Sequence, residues 1–234
     1  MNEFAHVTCT VMDQGTPRKL SVSASRLICF GYSGRDISEV NHHIEQLEPL
    51  GIPAPKQVPL IMEVAPWLLT DSERFRVQGF HTSGEVEFVM VHSPETGAWH
   101  VGVGSDHGDL ELEKFDGAMA KQMGPKVLSR ELWNYDEVKD HWDTLQMRSW
   151  VTVDGKRRLH QSASVSVMLH PDSLMQLIAE RMKADTGGMV IYSGTITCLG
   201  PLVFPTGFEA ELFDPVMNRR LSFAYTVEAF NRTH

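Results

Sequence analysis

Long apolar runs are missing from this 234-residue chain. A helical membrane span needs about 20 consecutive apolar residues, so no membrane partner is expected. Cysteine is scarce. Cys9, Cys29 and Cys198 are odd in number and far apart, which gives neither a disulfide framework nor a zinc spacing. They read as reduced core thiols of a cytoplasmic protein. Positive charge is also short: 21 Lys and Arg against 30 Asp and Glu leave a net charge of −9. Nucleic-acid binding draws on a basic surface. The one basic cluster, "GKRRL" at 155–159, reads as the exposed turn of a hairpin, so no nucleic-acid partner is expected. The opening "MNEFAHVTCTVMD" lacks the charged and apolar regions of a signal peptide, in keeping with a cytoplasmic location. The βαβ rhythm of a dinucleotide-binding domain is absent too, and "GVGSDHG" is a weak glycine match.

What is present is mostly strand signal. "FAHVTCTVM" and "KLSVSASRLICFG" flank Gly15-Thr16-Pro17 and predict an N-terminal hairpin over residues 1–30. Ile37, Val40, Ile44 and Leu47 lie at helical spacing, and Gly51 with Pro53 ends that helix. "FRVQGF", "GEVEFVMV" and "AWHVGVG" read as strands. A helix is predicted from Ser129 through Leu132, Trp133, Val138 and Trp142. "SWVTVDGKRRLHQS" reads as a hairpin about Asp154-Gly155. "DSLMQLIAERMKAD" reads as a helix capped by Asp172 or Ser173, and most of the chain beyond it as strand. No linker or repeat interrupts the chain, so residues 1–234 are expected to form one β-rich α+β domain.

One strand carries an anomaly. In "GEVEFVMV", Glu85, Glu87, Val89 and Val91 share a face, and Val86, Phe88 and Met90 share the other. A strand apolar on both sides is covered on both sides, yet one face begins with two carboxylates. Such a pair either stays solvated at an edge, gives one member up to protonation, or is held by a cation. Asp106 follows the next strand, and a hairpin would return it to Glu85 and Glu87. Three carboxylates completed by water suit a hard cation, Mg²⁺ or with a histidine Mn²⁺. His107 and Asp109 are alternative ligands. Arg35 has the chemistry to bind a substrate carboxylate or to pair with Asp36. Cys198 has no histidine partner that the sequence places, which argues against a thiol nucleophile.

"GEVEFVMV" resembles the Glu-x-Glu metal strand of the fumarylacetoacetate hydrolase superfamily, and "VGVGSDHGD" its later strand with the third acidic ligand. "AKQMGPK", "VTVDGKRRLHQSASVSVML", "DTGGMVIYSGTITCLGP" and "FPTGFEAELFD" are similar to the family's subsequent lysine, hairpin and glycine-turn segments, in order, over roughly residues 25–228. "GYSGRD" and "HHIEQLEPLGIPAP" fit a divergent branch known mostly as a domain of unknown function. The resemblance implies a mixed-sheet roll or sandwich with a few helices, an Mg²⁺-type cation and a homodimer. It also implies small 2-oxo or β-diketo carboxylic acid substrates. The expected activity is a metal-dependent C–C bond hydrolase or lyase. The alternatives are a hydratase or dehydratase, or a non-catalytic carboxylate-binding relative.

Residue by residue, the resemblance gives Glu85, Glu87 and Asp106 as metal ligands and Lys121 as the active-site lysine. It places Thr195 and Gln161 near the substrate; by their own chemistry Arg35 is a substrate-binding candidate, and His107 either contacts substrate or orients Asp106. Aligned from "CFG", the histidine of the family's His-x-x-Glu pair on a mobile N-terminal segment falls at Ile37, and a shift of five residues gives His42 and Glu45 at the required spacing, which makes residues 35–55 a candidate lid. Shifting the register by one would use His43 with Gln46. Leu110 stands where many members have arginine, a departure that favours the non-catalytic alternative.

Overall fold

The computed structural model describes residues 6–13, 16–184 and 186–230. The chain opens with strands β1 (His6–Asp13), β2 (Thr16–Ser23) and β3 (Arg26–Gly31), then helix α1 (Ile37–Leu47). Seven strands come next: β4 (Leu60–Val64), β5 (Leu69–Thr70), β6 (Arg74–Val77), β7 (Thr82–Ser83), β8 (Val86–His92), β9 (Trp99–Asp106) and β10 (Gly108–Asp109). Short helices α2 (Leu110–Glu113) and α3 (Gly117–Gln122) lead to β11 (Lys126–Leu128), β12 (Glu131–Asn134) and the hairpin β13 (Gln146–Val153) and β14 (Lys156–Ser164). Helix α4 (Pro171–Met182) and strands β15 (Met189–Tyr192), β16 (Gly207–Asp214) and β17 (Arg219–Ala229) complete the fold.

The main sheet runs β2-β1-β12-β9-β8-β15-β3-β4, with β11 on β9 and β5 on β11. A second sheet runs β14-β13-β16-β17-β6, and β7 pairs with β10. The main sheet mixes parallel pairs (β1 with β12, β15 with β3) with antiparallel ones such as β8 with β9. No described helix is long and apolar enough to cross a membrane.

Strand β8 is covered on both faces, as its composition predicts. Val86, Phe88 and Met90 enter one core with Trp142, Phe208 and Tyr225. Val89 and Val91 enter the other with Cys9, Leu27 and Tyr192. Each such side chain removed from water contributes roughly 1.5–3 kcal/mol, so β8 is fixed in register by two cores at once. A slip by one residue would exchange the two sets.

The first hairpin forms between β1 and β2, and part of its predicted turn (Gly15) lies outside the described residues. The predicted strand through "KLSVSASRLICFG" divides after Ser23, and β3 pairs instead with β15 and β4. Helix α1 is capped by Asp36, whose side chain accepts from the Ser38 N–H at 2.8 Å, and Gly51 closes the following turn at φ 86°. The helix predicted from Ser129 is absent. Leu132 packs into one core and its neighbour Trp133 into the other. Consecutive side chains on opposite sides require a strand, here β12, followed by two short 3₁₀ turns. Helix α4 begins earlier than predicted: His170 caps it through Nδ1, with Pro171 in the first turn. The "GKRRL" turn is exposed, with Asp154 and Gly155 at φ 51° and 70°.

Candidate metal centre

The β8–β9 hairpin assembles the acidic set. Gly104 lies opposite Glu87 and Ser105 opposite Val86, and the Asp106 N–H donates to the Glu85 carbonyl at 3.1 Å. Glu85, Glu87 and Asp106 each offer a carboxylate oxygen, all within 4.8 Å of one another. Glu87 and Asp106 are fully buried. The Glu85 side chain stays 28% exposed and opens the site to solvent.

Glu87 is aimed by a single donor. Its Oε2 accepts from the Gly194 N–H at 2.8 Å. Gly194 has φ +85°, and a Cβ there would fall 2.1 Å from Ser33 Oγ, so only glycine fits. Glu87 Oε1 and both Asp106 oxygens are buried and accept no well-aligned hydrogen bond. Two lysines face Asp106, with Lys126 Nζ 2.8 Å from Oδ1 and Lys121 Nζ 3.2 Å from Oδ2. Lys126 nevertheless aims its N–H groups at the carbonyls of His107, Lys121 and Gly124. Gly124 makes that cage possible, since a Cβ there would meet the His107 carbonyl oxygen at 1.9 Å.

The charges divide the acids. Burial pushes the Glu87 carboxyl well above its usual range, and the neighbouring Asp106 adds to this. Burial acts on Asp106 too, but Lys121 and Lys126 outweigh it and hold the group low. Lys121 resists the effect of burial because Asp106, Glu85, Glu113 and Glu87 surround it, and its ammonium is firmly protonated. It donates to Glu85 Oε2. Carboxylates with few well-aligned donors, pressed against one another, form an all-oxygen set that a hard divalent cation would satisfy.

The other predicted residues fall in varied places. Lys121, on α3, is 7% exposed and belongs to the cluster. Gln161 is buried and its amide is fully engaged: Oε1 accepts from Val86 N and Ser149 Oγ, and Nε2 donates to Thr195 Oγ1 and the Ile196 carbonyl. Thr195 Oγ1 donates to the Val86 carbonyl at 2.9 Å. Both therefore pin the start of β8, the strand that carries Glu87. Arg35 is exposed, with two nitrogens on Asp143 at 2.8 Å. The His107 ring turns into the core against Tyr225 and Phe75, and burial, reinforced by Lys126, holds its pKa down to about 3. Asp109 caps α2. His42 is exposed and meets Gln46 at 3.0 Å, and Glu45 is exposed. His43 instead faces Tyr32, ring to ring at 6.3 Å, and feels the Glu85 charge.

Four residues near the cluster escaped sequence reasoning. Lys126 stands two residues after Gly124, and nothing in "GPK" announces burial. Glu113 lies 3.8 Å from Lys121 Nζ and is pushed up to about 7 by burial, against the pull of Lys121 and with help from Glu85 and Asp106. Tyr32 holds a left-handed backbone at φ 54°, a strained conformation for a bulky residue. His160 Nε2 is 3.4 Å from Cys198 Sγ. Cys198 thus has the histidine neighbour that the sequence does not place. Burial, with the Glu85 charge, still pushes its thiol up to about 11, so it is no thiolate at neutral pH.

Comparisons with known proteins agree with this architecture. Residues 30–225 match the family described as "Protein of unknown function (DUF2848)", and the chain belongs to that family. No curated protein matches the chain. Among solved structures, a putative fumarylacetoacetate isomerase/hydrolase from Oleispira antarctica superposes with a TM-score of 0.64 at 16% identity, covering 94% of this chain and 99% of that one. Cg1458 superposes at 0.63 with 16% identity, over 92% and 85%. A 2-keto-3-deoxy-D-arabinonate dehydratase complexed with magnesium and 2,5-dioxopentanoate superposes at 0.60 with 14% identity, over 89% and 74%. The fold is that of the fumarylacetoacetate hydrolase family.

Proposed function

We propose that this member of the DUF2848 family is a divalent-cation-dependent enzyme that breaks a bond next to the keto group of a small 2-oxo carboxylic acid, as a lyase or C–C hydrolase. The observation that carries the reading is the trio Glu85, Glu87 and Asp106, the last two fully buried, whose oxygens converge within 4.8 Å while those of Glu87 and Asp106 are short of well-aligned hydrogen-bond donors. These three residues would hold Mg²⁺ or Mn²⁺. When bound, such an ion supplies Lewis-acid polarisation of a keto oxygen. The magnesium and 2,5-dioxopentanoate bound by the dehydratase relative support the same pairing of ion and ligand here.

The protein's own groups supply the rest. The Lys121 ammonium is nearly enclosed and firmly charged. It offsets the negative charge that develops on the substrate oxygen as the adjacent bond breaks. Lys126 keeps Asp106 ionised from the protein side. Gly194, Gln161 and Thr195 hold the strand and side chain of Glu87 in place. His42 and Glu45 point to solvent, which favours lyase or dehydratase chemistry over hydrolysis; a hydrolase would need α1 to close and bring its histidines to the substrate. The non-catalytic alternative gains nothing from Lys121, which a simple carboxylate receptor has no reason to bury among four acids.

Calorimetry with Mg²⁺ tests the ligand set. Glu87→Gln, which keeps shape and removes charge, is expected to weaken binding by at least about tenfold. Wild-type protein with Mg²⁺ is expected to exchange the methyl protons of pyruvate in D₂O, followed by NMR. Equal Mg²⁺ affinity in the two proteins, or none in either, would overturn the reading.

A further inference from the structure

The cleft beside Glu85 is lined by Gly84, Gly108, Leu110, Glu113, His160, Cys198 and Leu202. Its charged lining groups are Glu85 and Glu113, both acids. His160 is held neutral by burial. Lys121 is the cation within reach, and its ammonium is already shared among Glu85, Asp106 and Glu113. Lys126 is sealed in the core. On the hairpin that carries His160, Arg157 and Arg148 are paired with Glu209 and Glu211, and Arg158 is exposed beside the turn. A chelating 2-oxo acid would occupy the positive charge available to it, and its far end would then meet Glu113 and apolar walls.

We infer that Glu113 is a specificity residue: the cleft admits 2-oxo monocarboxylates whose far end is uncharged and bears a hydrogen-bond-donating hydroxyl, and it rejects a second carboxylate. This rests on the proposed metal-dependent reading. Glu113 is well placed for the role. It ends α2, whose start is fixed by the Asp109 cap. Its side chain is 18% exposed and lines the cleft, with Oε1 3.8 Å from where a Cβ on Gly108 would stand. Leu110, one turn earlier on α2, offers no positive charge to neutralise a distal carboxylate. Like charges brought together in a partly desolvated site disfavour a ligand strongly. Glu87 Oε1, buried without a hydrogen-bond partner, marks the same site as one built for a ligand.

Four probes separate the possibilities, each titrated by calorimetry into the full chain with saturating Mg²⁺ at about pH 8, where carboxylates are ionised. Oxalate reports chelation alone. 2-Oxopentanoate, 4-hydroxy-2-oxopentanoate and 2-oxoglutarate share five carbons and differ away from the chelating end. The hydroxy acid is expected to bind tightest, and 2-oxoglutarate at least about tenfold more weakly than 2-oxopentanoate. Glu113→Gln should narrow the latter gap to about threefold or less while oxalate affinity holds. Glu113→Asp, which keeps the charge, should keep the gap. Oxalate binding with 2-oxoglutarate equal to or tighter than 2-oxopentanoate, or a gap unchanged by Glu113→Gln, overturns the specificity role and leaves the metal reading standing. Failure of oxalate to bind at all overturns both.

Discussion

Asp214 and Asp106 are both buried aspartates, and their surroundings explain their different uses. Asp214 is satisfied. Its Oδ1 accepts from the Val216 and Met217 N–H groups at 3.0 and 3.1 Å and meets His141 Nε2 at 3.1 Å, while Oδ2 faces Arg219 Nε at 3.3 Å. Burial alone would raise its pKa; the backbone donors and His141 outweigh burial and lower it. The contribution of such a group is complete above the unfolded value near about pH 4 and is lost as pH falls through the folded value. Asp214→Asn is therefore expected to destabilise the protein by about 2 kcal/mol at pH 7. Urea denaturation at pH 7 and again at about pH 3 should show the gap between wild type and variant closing. A constant gap would assign the loss to packing. Asp106 is instead met by the ammonium groups of Lys121 and Lys126 and by no well-aligned donor, which suits a ligand better than a structural tie. The acids of the site were legible in the sequence because Glu85 and Glu87 break an apolar alternation and a hairpin returns Asp106 to them. Lys126 and Glu113 were not, since their burial depends on how α2, α3 and β11 fold back over β9.

Helix α1 is only lightly held against the rest of the protein. Its one buried residue is Val40, although Ile37, Val40, Ile44 and Leu47 are spaced for a buried stripe. Ile37 is 58% exposed, which leaves apolar surface for a closed state to cover. The proposal that residues 35–55 act as a lid rests on this and on Tyr32, whose left-handed backbone stands at the root of the segment. Hydrogen exchange measured with and without Mg²⁺ and oxalate is expected to show α1 amides slowing by about tenfold or more when both are present. Equal rates would rule out a lid. The caps of α1 could be read from Asp36 and Gly51, because local chemistry decides them. The failure at β12 has the opposite origin. Leu132, Trp133, Val138 and Trp142 mimic a helical period, and only the presence of two separate cores makes neighbouring apolar residues point apart.

The molecule as a whole places charge where it opposes folding. Strands β8 and β9 lie at the centre of the main sheet, β8 with side chains in both cores, and the carboxylates they carry lie at the end of a deeply buried hairpin. Glu87 bears this conflict most directly, since burial and Asp106 both press its carboxyl towards the neutral form. Removing that charge should stabilise the metal-free protein, as expected where a binding site is kept at the expense of stability. Glu87→Gln is accordingly expected to raise the melting temperature by a few degrees without metal, about 1 kcal/mol or more. Metal reverses the order. An ion that binds only the folded state adds about 2.7 kcal/mol at 100 times its dissociation constant. In a chain of this size that corresponds to a rise of about 5–10 °C. Wild type should show this rise with Mg²⁺ and the variant should show little of it, so the two melting curves cross as Mg²⁺ is added. Scanning calorimetry with chelator and then with a Mg²⁺ series measures both effects. A variant that melts lower than wild type in chelator would mean that Glu87 is a structural partner of Gly194, and a full Mg²⁺ shift in the variant would move the ion to another site.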